Sequence, residues 1–376
     1  MRLSKALALG FCLAFTANPG LDAEETLWRF GTAQAKITPD RLFWMGGFAA
    51  RTRPAEGTLD DLWAKVLLLE AQDGDRCVLV AVDLLGMPKW LYDALCRELE
   101  KRHGLKRSQL LFAASHTHSG PVLRDALQDI YPIDAQQRTL IDQYSSRLQQ
   151  TLLATIGEAM ANRIPGRLFA GHGRAAFALN RRTNNESKLA DMLSRGESPQ
   201  GPSDFDVPVL AIRSEDGQLR AVVFGYAAHT SALTDNYRWS GDYAGVAQRA
   251  LEARYTGAVA MFVQGCGSDQ SAAPRGTIEL CRQLGDKLAV AVEAVLEKPM
   301  ARVSSKLRAA FEFVPLDYGE QPTLTELEEL ATGTSYRARW AARLASELRS
   351  GSSFPKGYPE YPVQVWKLGP DQLWIA

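Results

Sequence analysis

Residues Cys77–Pro121 read CVLVAVDLLGMPKWLYDALCRELEKRHGLKRSQLLFAASHTHSGP. Val78–Val82 (VLVAV) is a short unbroken apolar run, the pattern of a strand buried on both faces. Trp90–Arg102 follows with apolar residues at helical spacing and charges between them. Leu110–Ala114 (LLFAA) is a second buried strand. Strand, helix and strand within roughly 40 residues make a βαβ unit, and its crossover sets the two strands parallel.

The same alternation continues outward. Tyr144–Ala161 has the pattern of a helix, and Val207–Ile212 and Ala221–Tyr226 form a strand pair around the turn Glu215-Asp216-Gly217. Val259–Val263 (VAMFV) is another buried strand, with a glycine-rich loop and a helix over Thr277–Leu296 behind it. Leu324–Leu348 reads as one long helical stretch, and Gly351–Pro362 as a surface connection. No internal repeat or interdomain linker interrupts the pattern. The fold expected is α/β: a mixed, largely parallel sheet flanked by helices, with catalytic residues on loops at the carboxyl ends of strands.

Composition narrows the function. Of 376 residues, 46% are hydrophobic and 23% charged, enough for a large core, and Lys plus Arg balances Asp plus Glu at 43 each. With no basic stripe and no aromatic RNA-binding motif, nucleic acid is not an expected partner. Arg2 and Lys5 precede the short apolar run Ala6–Ala17, and Ala23 stands before a possible cut at Glu24. That is the layout of a signal peptide and too short for a membrane span, so residues 1–23 are expected to be a signal and the protein secreted or periplasmic. Cys77, Cys96, Cys266 and Cys281 would remain, allowing one or two disulfides; for Cys77 a buried small residue is an equal reading.

Polar residues concentrate where strands end. Asp83 follows VLVAV; Ser115, His116, Thr117 and His118 follow LLFAA; His229 follows AVVFGYAA; QGCGSDQS (Gln264–Ser271) follows VAMFV. Ligands bind at the carboxyl ends of strands in open α/β sheets. His116 and His118, two residues apart in an extended segment, would point to one side as a pair of metal ligands or a ligand and its neighbour. His229 adds a third imidazole, whereas His103 and His172 read as surface or turn residues. No HExxH is present, which excludes a helix-borne zincin site.

These segments resemble the neutral/alkaline (non-lysosomal) ceramidase family. ASHTHSGP, AAHTSALTDNYRWSGDYAG, FGTAQAKITP, TLDDLWAKVLLLE, VAVDLLG, the LNRR of Leu179–Arg182 and FVQGCGSDQS carry the resemblance, from about Phe30 to Gln270. It implies a zinc-dependent amidase over residues 24–376, acting on an N-acylsphingosine (ceramide)-like lipid, with peripheral membrane contact for substrate access. By the same resemblance His116 and His229 are zinc ligands, and His118 and Arg181 line the site. Ser271 takes the serine position of a G-D-x-S element in which Ser268 replaces the glycine. Zinc would acidify a bound water and polarise the amide carbonyl, with Arg181 or His118 stabilising the oxyanion. Attack by Ser271 and attack by water both remain open.

The family completes its zinc shell with a Glu and a Tyr further along the chain. This sequence closes on DQLWIA, inside what reads as a buried strand, so the third ligand is expected beyond Ala376 and zinc retention by these residues is expected to be weak. Asp83, Asp242 and Glu360 are substitute ligands within the chain. Asp83 reads equally as a loop-orienting acceptor, and Asp242 in SGDYAG as a helix cap. Two further functions stay open: a metallohydrolase of the same fold acting on another amide or ester, and a catalytically incomplete binding homologue.

Overall fold

The computed structural model describes residues 27–370 and 372–375. The expected signal segment lies outside them. From the amino terminus the elements are β1 (Trp28–Lys36), β2 (Gly57–Thr58), β3 (Trp63–Glu70), β4 (Arg76–Val82), α1 (Lys89–His103) and β5 (Leu110–Ala114). Next come α2 (Ala135–Ala161), β6 (Ile164–Arg174), β7 (Ala178–Asn180), α3 (Leu189–Ser194), β8 (Asp206–Ser214), β9 (Leu219–Tyr226) and β10 (Arg238–Trp239). Then follow α4 (Asp242–Arg254), β11 (Val259–Gln264), β12 (Gln270–Ala272), α5 (Ile278–Leu296) and β13 (Ala301–Val303). The chain ends with β14 (Leu307–Asp317), α6 (Leu324–Leu330), α7 (Tyr336–Arg349), β15 (Gly357–Leu368) and β16 (Gln372–Ile375).

The main sheet runs β11-β9-β8-β6-β1-β3-β4-β5, with β13 on β6. It is mixed and flanked by helices, as expected, but its balance is antiparallel. Only β4/β5 and β11/β9 pair in parallel. Those are the pairs joined through helices, by α1 and by α4. Two interior pairs, β3 with β4 and β8 with β9, are joined by tight turns, and a tight turn can only return the chain antiparallel; β1 with β3 and β6 with β8 are antiparallel across long connections. The long helical stretch also divides: α6 and α7 are separate helices, and Gly333, at φ 101°, lies in the break.

Strand alternation sorts the core into layers. One face of β3 and β4 (Val66, Leu68, Val78, Val80) packs under α1 and α2, and Val222, Phe224, Ala260 and Phe262 pack under α4 and α5. Their neighbours in sequence, Leu67, Leu79, Val223 and Met261, face the other way, against Trp366 and Leu368 of a three-stranded sheet β14-β15-β16. The main sheet curls until its edge strands β5 and β11 approach each other, as a twisted sheet of this width must curl or split. The segments leaving β5, β9 and β11 therefore converge. Among the described residues no helix is long and apolar enough to cross a membrane.

Candidate metal centre

His116 stands two residues past β5 and has φ 60°, in the left-handed region that costs a non-glycine residue roughly 1–3 kcal/mol. The histidine pair is therefore brought together by a turn, not by extended-chain alternation, and its ring centroids lie 5.1 Å apart. The turn is held from outside. The Ser115 N–H donates to Val82 O at 2.8 Å, Thr117 Oγ1 donates to Ser240 O at 2.8 Å, and the His118 N–H donates to Thr230 O at 3.0 Å. That last bond joins the segment after β5 directly to the segment after β9.

Across this join His116 and His229, 113 positions apart in sequence, place their Nε2 atoms 3.1 Å from each other. Each ring is oriented by its other nitrogen: His116 Nδ1 meets Leu85 O at 2.7 Å, and His229 Nδ1 meets Gly267 O at 3.0 Å. A carbonyl only accepts, so in the neutral rings both Nδ1 atoms carry the proton. Both Nε2 atoms then present lone pairs to each other. Two lone pairs at that distance repel unless a cation lies between them. Two nitrogens on a tetrahedral ion at the usual zinc–nitrogen length stand roughly 3.3 Å apart, so the pair fits a metal of that kind.

His118 completes the cluster. One nitrogen from each of the three rings lies within 4.8 Å of the others, and among the described residues no carboxylate or thiol joins them. Both His118 nitrogens are buried without a hydrogen-bond partner. Burial first, then the two neighbouring imidazoles and Arg51, pull its pKa down to about 3. Burial also lowers that of His229, against the opposing Gly267 carbonyl. Both rings are neutral at pH 7, the form that binds metals. Three imidazoles form a group able to hold a metal ion.

A neutral/alkaline non-lysosomal ceramidase family model, for the N-terminal part of such proteins, matches residues 28–291. The chain belongs to that family. Among solved structures, neutral ceramidase from Pseudomonas aeruginosa superposes with a TM-score of 0.68 at 20% identity, over 92% of this chain and 61% of that one. A structure described as ceramidase complexed with C2 matches equally well, over 62% of its length. At that identity the likeness is one of fold, and this ceramidase-family chain spans about three fifths of those relatives.

The remaining site candidates separate. Ser271 lies in β12, bridged in backbone register to His229, fully buried, its hydroxyl without a protein partner. Arg181 donates from Nε and Nη2 to Ser268 O at 3.0 and 2.6 Å, and from its backbone N–H to Asp269 O at 2.8 Å. It thereby holds the turn that presents Gly267 O to His229. Asp83 is a loop anchor, accepting the Trp63 N–H at 3.0 Å and Gln248 Nε2 at 3.3 Å. Asp242 does more than cap: its buried carboxylate takes the N–H groups of Ala232, Leu233 and Tyr243, tying the His229 segment to the start of α4. Glu360, on β15, pairs with Lys89 at 3.0 Å. His172 is a surface residue, as expected, exposed on strand β6 beside Asp206. Cys77, Cys96, Cys266 and Cys281 are all free thiols, so neither disulfide forms here.

Sequence reading did not find the carbonyls of Leu85 and Gly267, since main-chain acceptors leave no residue signature. It also passed over Arg51, in ARTR, which is 7% exposed.

Proposed function

We propose that this chain is the catalytic part of an exported zinc-dependent hydrolase that cleaves the amide bond of an N-acylsphingosine-like lipid. The observation that carries the reading is the opposed Nε2 pair of His116 and His229, 3.1 Å apart with both Nδ1 atoms committed to carbonyls, in a ceramidase-family chain. His116 and His229 would hold the ion, and their carbonyl partners keep both rings aimed at it. Zinc, when bound, acts as a Lewis acid on the amide carbonyl and acidifies a water. Neutral His118 supplies a ring N–H to the oxygen on which charge develops. Arg181 positions the turn behind His229, and Ser271 is the chain's own candidate nucleophile. The signal-like pattern of residues 1–23 supports export, and amino-terminal sequencing of exported protein should begin at Glu24.

The test uses protein stripped by a chelator and reloaded with one metal at a time. Hydrolysis of N-acylsphingosine should vanish on stripping and return with zinc. Turnover of short acyl esters but not of the lipid amide would favour a metallohydrolase of different specificity. Failure to bind any divalent metal would leave a binding homologue and sink the enzymatic reading.

A further inference from the structure

The three imidazoles are not held in the same way. His116 and His229 are each oriented by a carbonyl on Nδ1, but neither nitrogen of His118 has a partner, so no hydrogen bond fixes its ring. Its surroundings do. Gly47, at φ 108°, passes so close that a Cβ there would stand 2.6 Å from the His118 Cβ and Cγ. The next residue, Phe48, sets its ring edge-on to the imidazole at 4.8 Å between centroids.

The Gly46–Phe48 segment is in turn held by one side chain. Arg51 Nη1 donates to Gly46 O at 2.6 Å, and Nη2 donates to His118 O at 2.7 Å and to Asn236 O at 3.2 Å. Its guanidinium carbon lies 5.0 Å from the centre of the Phe48 ring. Among the described residues no carboxylate forms an ion pair with it, though Tyr131 and Asp235 lie near enough to favour its charge, and burial still lowers its pKa, so its position is costly unless those carbonyl contacts are needed. Three carbonyls from three separate segments fit the fixed fork of a guanidinium and not the single point of an ammonium.

We infer that Arg51 is a positioning residue for His118, joining the His118 peptide to the glycine loop that clamps its ring. The inference rests on the hydrolase reading for its consequence in turnover, but not for its geometry. The experiment therefore has two readouts. The chain contains five histidines, so a ring carbon–proton spectrum of histidine-labelled, metal-free protein is sparse, and His118→Gln assigns the His118 signal. In Arg51→Met that signal should shift and broaden while those of His116 and His229 hold, and in Arg51→Lys the change should be smaller. With active protein, Arg51→Met should lower kcat on the order of 10²-fold, the scale of a misplaced catalytic group, with KM little changed, and Arg51→Lys should recover part of it. A folded Arg51→Met or Arg51→Lys protein whose His118 signal matches wild type overturns the inference. An inactive wild type would end the hydrolase reading and leave the spectrum to decide the role of Arg51.

Discussion

At the scale of single residues, the site depends on which nitrogen of each ring is free. His116 and His229 have one nitrogen committed to a carbonyl and the other aimed at its counterpart. Replacing either by Ala should weaken zinc binding, measured by titration, by more than the about 10–100-fold typical of a change behind a ligand. Unchanged zinc affinity in His116→Ala would refute the assignment. Ser271→Ala separates two chemistries: loss of turnover with zinc retained marks the hydroxyl as a participant, and intact turnover marks Ser271 as structural. The histidine types were legible from ASHTHSGP and AAHTS. The left-handed backbone of His116 was not, because nothing in a residue's identity records that its neighbours force such a conformation.

At the scale of elements, the segment after β9 is held by Asp242. Three N–H groups converge on its buried carboxylate, at 3.0 Å from Ala232, 3.0 Å from Leu233 and 2.7 Å from Tyr243. Asp242→Ala would leave these donors without an acceptor and should cost about 3 kcal/mol or more, measured by denaturant unfolding. A loss under about 0.5 kcal/mol, the range of surface changes, would show that the loop is held elsewhere. Element positions were largely readable: β5 spans Leu110–Ala114, as LLFAA predicts, and β4-α1-β5 is the expected parallel unit. Strand pairing across the rest of the sheet was less so. A continuous apolar strand looks the same whether its neighbour runs parallel or antiparallel, and connection length identifies only the tight turns: β6 and β8 are antiparallel across a connection about as long as the one that leaves β9 and β11 parallel.

At the scale of the whole molecule, the cluster makes stability depend on pH. His118 and His229 both titrate below their ordinary value because they are buried, His118 at about 3. In the unfolded chain they take up protons near pH 6.5, so between about pH 6.5 and pH 3 the unfolded state binds more protons than the folded one. Stability of chelator-treated protein should therefore fall as pH drops through that window and be level with respect to these groups above it. His118→Gln should flatten the slope, and an equally steep acid limb in that variant would assign the effect to other groups. The sequence alone determined the residue chemistry, the βαβ unit and the family, because apolar periodicity and the HTHSGP and AAHTS segments are local patterns. The family resemblance already set His116 and His229, 113 positions apart, at one site; only the tertiary structure decided that their rings meet Nε2 to Nε2 with both Nδ1 atoms held by carbonyls. The curl of a nine-stranded sheet brings its two edges together, and the carbonyls and the buried Arg51 that aim the rings come from segments whose nearness no local pattern encodes.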